Sequence, residues 1–506
     1  MKKNVIFSTI QVTFITLMIK LLGIIKQSVL AAYCGANEKT DIFFIATGIL
    51  INLCVVIFSS ISISLLTIHT QRLVTEGRES ANKLINAVLR VAIPISIVLS
   101  LVFFFAAPFF AKVFAPAYNQ EQLQILSKYV RIMSVSFVLW CYYLTLNVVL
   151  ETDKEFLPGR CQGLFQNLLL IAAAVFLYKQ FGISSLIYSF LISGVLECVL
   201  ITWCVRDRFK VVFGYIDEKE ALSKLLKVSI PLILGSSIYE VNDIVDKQIS
   251  TSIGAGNASF LNYGATINEI VTGVIVTSVS TVLFSHFATW IAENKVSNVE
   301  KSLEQTIEFL TVLIFPILVV CIVAGNQIIE ILYGRGNFGE KEIVATYGVV
   351  VGYALGFIFQ AARANLVKVY YAFQDSKTPM INGMISVSIN IVLSIVLSKY
   401  IGIMGVALAT SVSMMIVTAL LLKNIGQYLP GFSINKIMPE CKKGLIAAAC
   451  SFAALVTIKD SVSISLYFDF AIETVVCGGV YLLAMVVLRS KSVHTAVSII
   501  RGRSIN

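Results

Sequence analysis

The sequence predicts an all-α polytopic membrane protein of about 14 transmembrane helices: two six-helix lobes in a parallel repeat plus two C-terminal helices. Three observations predict it. The 506 residues have a mean hydropathy of +0.85, with 57% hydrophobic and only 13% charged, about half the charge that a water-soluble surface carries. Apolar runs of about 20 residues recur along the whole chain, and a helix rising about 1.5 Å per residue crosses a hydrocarbon core of about 30 Å in that length. Short motifs of the first half also return in the second at a nearly constant offset. The runs are too uniformly apolar for the alternating strands of an outer-membrane barrel. With nine prolines and thirty glycines, the chain is neither collagen-like nor disordered. Soluble enzyme, secreted domain and DNA-binding module are excluded.

In order, the spans read 5–33, 41–67, 86–114, 128–150, 163–179, 183–205, 228–252, 260–288, 305–333, 344–373, 380–398, 402–422, 444–458 and 464–488. Their connections alternate in charge. With the N-terminus in the cytoplasm, about 25 of the 39 basic residues fall in inner loops and tails, among them Arg72, Arg78, Arg206, Arg208, Lys442, Lys443 and Arg489. The positive-inside rule therefore places both termini in the cytoplasm and calls for an even number of spans. The net charge of +10 is explained by topology, not by nucleic acid. The chain divides into an N-lobe 1–210 (six helices), a cytoplasmic linker 211–227 and a C-lobe 228–422 (six helices). A basic linker 423–443, the last two helices 444–488 and a cytoplasmic tail 489–506 follow. The ten cysteines sit mostly inside apolar runs without paired spacing, as small core hydrophobes. The first run continues to Tyr33 without a small-residue cleavage site, so no cleaved signal is expected.

The repeat shows in three places. Lys179-Gln-Phe-Gly182-Ile183 returns as Lys399-Tyr-Ile-Gly402-Ile403, Asp153-Lys154 with Pro158 returns as Asp375, Lys377 and Pro379, and Gly35-Ala36 returns as Gly254-Ala255. Six helices is an even number, so both copies run the same way through the membrane, with a substrate path expected between the halves.

Ionisable residues inside spans are functional candidates by default. The first span carries Lys20 and Lys26 around Gly23. Either they line a cavity, where a lysine suits phosphate or pyrophosphate, or they snorkel to the interface or pair with a neighbour. Asp41 reads as serving its helix N-terminus, with Thr40 as the cap. Glu197 stands in the sixth span. In the seventh, Asp243 and Lys247 are one turn apart and can pair. Asp246 is then left to hold a cation with Asn390, Ser394 and Thr410, an all-oxygen set suited to Na⁺ or a proton relay rather than a transition metal; ordinary interhelical hydrogen bonding is the competing reading. His286 reads as interfacial. Arg363 and Lys368 in the tenth span either snorkel or meet substrate. There is no Walker A motif, no Ser/His/Asp or Cys/His set and no metal site among three histidines. The chain reads as a transporter, not an enzyme. No cofactor is expected, only a coupling ion, Na⁺ or H⁺, or the membrane potential.

These residues carry a resemblance. The chain resembles the MurJ (MviN) lipid II flippases of the multidrug/oligosaccharidyl-lipid/polysaccharide exporter superfamily, over most of its length. The matching motifs are Lys20-Leu-Leu-Gly-Ile-Ile-Lys26-Gln-Ser-Val-Leu-Ala-Ala, Gly35-Ala36, Thr40-Asp41-Ile-Phe-Phe44, Val245-Asp246-Lys247 and Leu261-Asn-Tyr263. The most specific are Gly334-Arg335-Gly336-Asn337-Phe338, Tyr371-Ala-Phe-Gln374-Asp375-Ser-Lys-Thr378-Pro379 and Gly405-Val-Ala-Leu-Ala-Thr410. The resemblance implies a multi-pass flippase of the bacterial cytoplasmic (inner) membrane, working by alternating access. It would move undecaprenyl-pyrophosphate-linked peptidoglycan precursor to the outer leaflet in cell-wall biogenesis. It places cavity cations on Lys20 and Lys26 and an acid on Asp41, and gives the last two helices a lipid-tail groove. It also implies a monomer, with cell-wall synthesis enzymes as candidate partners and no nucleic acid. The sequence departs from the family at three points. Lys26-Gln27 stands for the usual Arg-Asp, Cys54-Val55 for an arginine pair, and Thr266 for an arginine after the Tyr263-Gly264-Ala265 run. A flippase for another undecaprenyl-linked oligosaccharide, such as a surface polysaccharide, is therefore the alternative. A cation-coupled multidrug exporter, which would want an acidic cavity, and a scaffold for wall synthesis are more remote.

Overall fold

The computed structural model describes residues 2–210, 218–276, 293–459 and 464–491, with residues 280, 287, 290 and 291 between them. Among the described residues every regular element is helical. Contacts divide the chain into two units, Met1–Ser259 and Phe260–Asn506.

The first unit contains α1 (Lys2–Cys34), α2 (Glu38–Thr75), α3 (Arg78–Phe105), α4 (Ala107–Phe114), α5 (Gln120–Met133), α6 (Ser136–Thr152), α7 (Leu157–Phe181), α8 (Ile183–Val205) and α9 (Lys219–Ile253). Asn257–Ile270 (α10) crosses into the second unit. There follow α11 (Val296–Val323), α12 (Gly325–Tyr333), α13 (Glu340–Ala354), α14 (Phe357–Ala372), α15 (Lys377–Ile401), α16 (Ile403–Ile425), α17 (Ile434–Lys459) and α18 (Leu466–Val487). Among the described residues twelve helices are long and apolar enough to span a membrane, and α13 with α14, bent by 43°, makes a thirteenth. The expected span 260–288 begins as α10 and a π-helical segment, Val271–Val276. Most of its remainder, His286 included, lies outside the described residues.

Several helices overrun the apolar runs that announced them. Residues Lys219–Lys227 of the expected linker already belong to α9, and α17 starts at Ile434. Hydropathy reports only the part of a helix in hydrocarbon, and a charged turn beyond the interface is silent to it.

The repeat extends through whole elements. α3 and α11 are both 28 residues long, α7 and α15 both 25, α8 and α16 both 23. Their connections match in detail. Gln122 and Glu342 reach back to the backbone N–H of Asn119 and Gly339, a capping device repeated at the start of α5 and α13. At the ends of α6 and α14, Lys154 and Gln374 adopt φ 64° and 62°. Each lets the next residue donate back into its helix, Glu155 N–H to Leu150 O at 2.8 Å and Asp375 N–H to Tyr370 O at 2.9 Å. Gly182 and Gly402, both left-handed, turn α7 into α8 and α15 into α16.

Packing follows membrane rather than aqueous logic, since hydrocarbon gives helices no hydrophobic reason to associate. Small residues let backbones approach and hydroxyls bond across. In the second unit Ser411 Oγ donates to Gly352 O (2.6 Å), Thr418 to Phe359 O (3.0 Å) and Tyr370 Oη to Leu421 O (2.8 Å), joining α16 to both halves of the bent span. A Cβ on Gly356 would lie 2.9 Å from Ser411 Cα and one on Gly352 3.0 Å from Leu408 N, so α16 packs closely on the segment leading into the bend. The last two helices, outside the repeat, pack on α11 through Phe315, Val319, Ala447, Leu455 and Tyr481. In the first unit Leu84, Ile85, Leu146, Val149, Ile201 and Leu225 form a common core.

Candidate functional site

The two helix-one lysines do not share a face. Six residues at about 100° each put them roughly 120° apart around the helix and about 9 Å apart along it. Lys20 is exposed and Lys26 half-buried. Next to Lys20 α1 rests on α7, with Ile19 over Gly163 and its carbonyl accepting from Asn167 Nδ2 at 3.2 Å. Beside Lys26, Gln27 has its side-chain oxygen buried and without a hydrogen-bond partner among the described residues.

Asp41 is wholly buried, and its partners differ from those the sequence suggested. The N-cap of α2 is Asn37, whose side chain accepts from the N–H groups of Lys39 and Thr40. Thr40 instead donates its hydroxyl to Cys34 O. The helix starts a turn earlier than expected, so Asp41 faces inward. It accepts the N–H of Gly256 (2.6 Å) and of Ser259 (2.7 Å), together with the Ser259 hydroxyl. Asp41 thus caps the first turn of a helix more than 200 residues away, and it is fully engaged there. Local pattern cannot reveal such a partner, although the Gly254-Ala-Gly256-Asn-Ala-Ser259 turn had the composition to receive it.

On α9, Asp243 takes the ammonium of Lys247 (2.6 Å) and the amide of Asn52 on α2 (2.8 Å). The lysine stem crosses Gly48, where a Cβ would lie 2.5 Å from Nζ. Asp243 is therefore the ion-pair member of the α9 acids, as its spacing allowed. Asp246 is buried and accepts from Asn242 at 3.0 Å. In the second unit Asn390, Ser394 and Thr410 do come together: Asn390 Nδ2 donates to Thr410 Oγ1 (3.1 Å), and Ser394 Oγ to Asn390 Oδ1 (3.3 Å). This is a compact oxygen-rich cluster between α15 and α16. No group of three or more His, Cys, Asp or Glu suited to a metal occurs among the described residues. Arg363 and Lys368 are half-buried on α14. At the remaining departures from the family pattern, Cys54 is fully buried, while Thr266 is half-buried and donates to Asn262 O.

One feature had no signal in the sequence. The second unit holds an apolar cavity of about 360 Å³, walled by Ile270, Val320, Ile328, Leu332, Thr474 and Cys477. Its walls come from α10, α11, α12 and α18, which no local pattern relates. Apart from Thr474 its lining is apolar.

Comparison with known proteins follows the same lines. A family model described as "Lipid II flippase MurJ" matches residues 30–476. A probable lipid II flippase MurJ of Treponema pallidum (strain Nichols) is 23% identical over 447 residues, 83% of this chain and 81% of its own. That of Vibrio cholerae serotype O1 is 24% identical over 448 residues, 84% and 83% of the two chains. A solved structure described as lipid II flippase MurJ in an inward closed conformation has a TM-score of 0.82 at 23% identity, covering 95% of this chain and 99% of that one. An inward-facing multidrug resistance transporter of the MATE family has a TM-score of 0.70 at 12% identity, covering 82% and 96%.

Proposed function

Because the chain belongs to the lipid II flippase MurJ family, membrane transporters rather than enzymes, we propose that it moves lipid II from the inner to the outer leaflet of the bacterial cytoplasmic membrane. The observation that carries this reading is the family match through residues 30–476, supported by a shared fold over 95% of the chain. In this reading the protein alternates access, Lys20 and Lys26 of the first unit bind pyrophosphate, and Arg363 and Lys368 of the second unit are separate candidates for contact with substrate. An ammonium gains most against a phosphate when water is largely excluded. Asp41 acts at one remove, by fixing the 256–259 turn. The polyprenyl tail takes the apolar surface that includes the second-unit cavity. The Asn390, Ser394 and Thr410 cluster of the second unit supplies oxygen ligands for a coupling Na⁺ or H⁺. Asp246 in the first unit is a separate candidate, and the cycle runs on an ion gradient or on the membrane potential. Both termini lie in the cytoplasm, and the protein works as a monomer.

A specific observation favours a second reading, a flippase for another undecaprenyl-linked oligosaccharide. Gln27, Cys54-Val55 and Thr266 leave neutral groups where the family usually carries charge. One experiment separates the two. The chain is expressed in a bacterium depleted of its own lipid II flippase, and outer-leaflet lipid II is quantified with a membrane-impermeant probe. The proposal expects surface lipid II to return, and Lys26→Ala to abolish it at unchanged protein abundance. Abundant, inserted protein with no lipid II outside overturns it in favour of the second reading.

A further inference from the structure

We propose that Glu197 is a proton-binding site of the transport cycle, its carboxyl protonated in the conformation described and giving its proton to water when α6, α7 and α8 part. The proposal rests on the transport reading above and adds a site to it. Glu197 lies within the apolar helix α8 and is 1% exposed. Six acids are buried among the described residues: Asp41, Glu197, Asp246, Glu304, Glu440 and Glu473. Five of them accept hydrogen bonds, from Gly256 and Ser259, Asn242, Lys436, Lys443 and Gln327 respectively. Glu197 accepts none at either oxygen.

The groups around it are equally telling. From α6 it faces Tyr143 and from α7 Cys161; on its own helix Cys198 and Cys204 lie within electrostatic reach. α2 and α5 also pack on α8, and among the described residues no hydrogen bond from either reaches Glu197. Thiols and a phenol are neutral near pH 7, so nothing nearby compensates a carboxylate. A bare carboxylate in that setting is too costly to persist, whereas the protonated acid is neutral. A residue needed only for packing would be Leu or Gln at this position.

Tyr143, whose hydroxyl donates to Gly159 O at 2.6 Å, interacts electrostatically with Glu197, Glu151 and Arg160, and we take it as the start of the proton's route to water. Glu151 is half-buried and held by Asn147 at 2.9 Å; Arg160 is exposed. The chemistry balances with water alone. An O–H bond forms at Glu197 from a hydronium ion and later breaks to return the proton to water.

The test uses the full chain in vesicles of phosphatidylethanolamine and phosphatidylglycerol. Infrared difference spectra across pH read the C=O stretch of protonated carboxyls, with Glu197→Gln as the reference. Surface lipid II is measured in parallel for wild type, Glu197→Gln and Glu197→Asp. Support is a protonated band at neutral pH that Glu197→Gln removes, together with loss of transport in Glu197→Gln and rescue by Glu197→Asp. The wild-type pH profile then has a limb approaching the roughly tenfold change per unit that one proton gives. A missing band overturns the proposal. So does a band accompanied by Glu197→Gln transport with an unchanged rate and pH profile, because the group is then only a neutral core residue. The infrared signal needs no substrate, so wild-type protein with a titrating band but no lipid II outside supports the proton site and overturns the lipid II reading instead.

Discussion

At the scale of single residues, the buried acids divide by what their environment lets them do. Asp41 gathers two backbone N–H groups and a hydroxyl, so its task is to hold a turn, although its sequence context suggested a local cap. Asp41→Ala orphans those donors at about 1–3 kcal/mol each. The thermal unfolding midpoint of the detergent-solubilised protein should therefore fall clearly for Asp41→Ala. It should fall less for Asp41→Asn, which keeps one acceptor. Asp375, in the turn after α14, gives the pH-dependent counterpart. Burial works to raise its carboxyl, but hydrogen bonds from Thr378, the Lys377 backbone and Tyr428 outweigh burial and hold it below the ordinary range. A depressed carboxyl contributes stability that is complete above its unfolded value, about pH 4, and is lost as pH falls through the folded one. Unfolding midpoints measured from neutral to acid pH should show Asp375→Asn less stable than wild type at neutral pH, with the gap closing below about pH 4. A constant gap would mean that the charge is not what the turn uses.

Among elements, the repeat explains which features were legible. Apolar runs of membrane length located the helices, and Gly182 with Gly402 marked the turns, because only glycine enters the left-handed region without strain. Lys154 and Gln374, at the ends of α6 and α14, also take a positive φ without being glycine. Their equivalence was visible only as a spacing, since neither side chain advertises the conformation. Replacing Gln374 by glycine should relieve about 1 kcal/mol and raise the unfolding midpoint, while Gln374→Val should lower it. Gly405 was singled out as part of a motif, and its reason is a contact across the α15–α16 turn. A Cβ there would lie 2.5 Å from the Leu397 carbonyl group, which is backbone and cannot step aside. Gly405→Ala should therefore reduce the yield of folded protein, whereas Gly426→Ala, where a Cβ meets open space, should not. Beyond the Asn390–Thr410 pair on successive helices, side-chain partners across sequence were not legible. The Asp41 turn, the groups facing Glu197 and the walls of the apolar cavity join helices that only the fold relates.

For the whole molecule, the quantity that decides most is the parity of the spans, because it sets which side of the membrane every other feature faces. Thirteen spans are complete among the described residues when α13 and α14 count as one, and the sequence expects a fourteenth that starts with α10. With fourteen, the charged ends Arg72–Arg78, Arg206–Arg208, Lys423–Lys443 and the C-terminal tail share one side. The positive-inside rule then makes that side the cytoplasm. With thirteen, the basic segment after α16 and the tail would face outward, against the rule, and the Asp375 turn would no longer lie on the same side as the equivalent Asp153. Reporter fusions test this directly. Fluorescent protein fused after Asn506 should mature and fluoresce, and so should a fusion within 426–433. Alkaline phosphatase fused in the connection between α17 and α18 should be active, and inactive at the other two sites. Active phosphatase at Asn506 would remove one span from the count and reverse the expected sidedness of the tail, whereas the predicted pattern fixes α10 as the start of a full crossing.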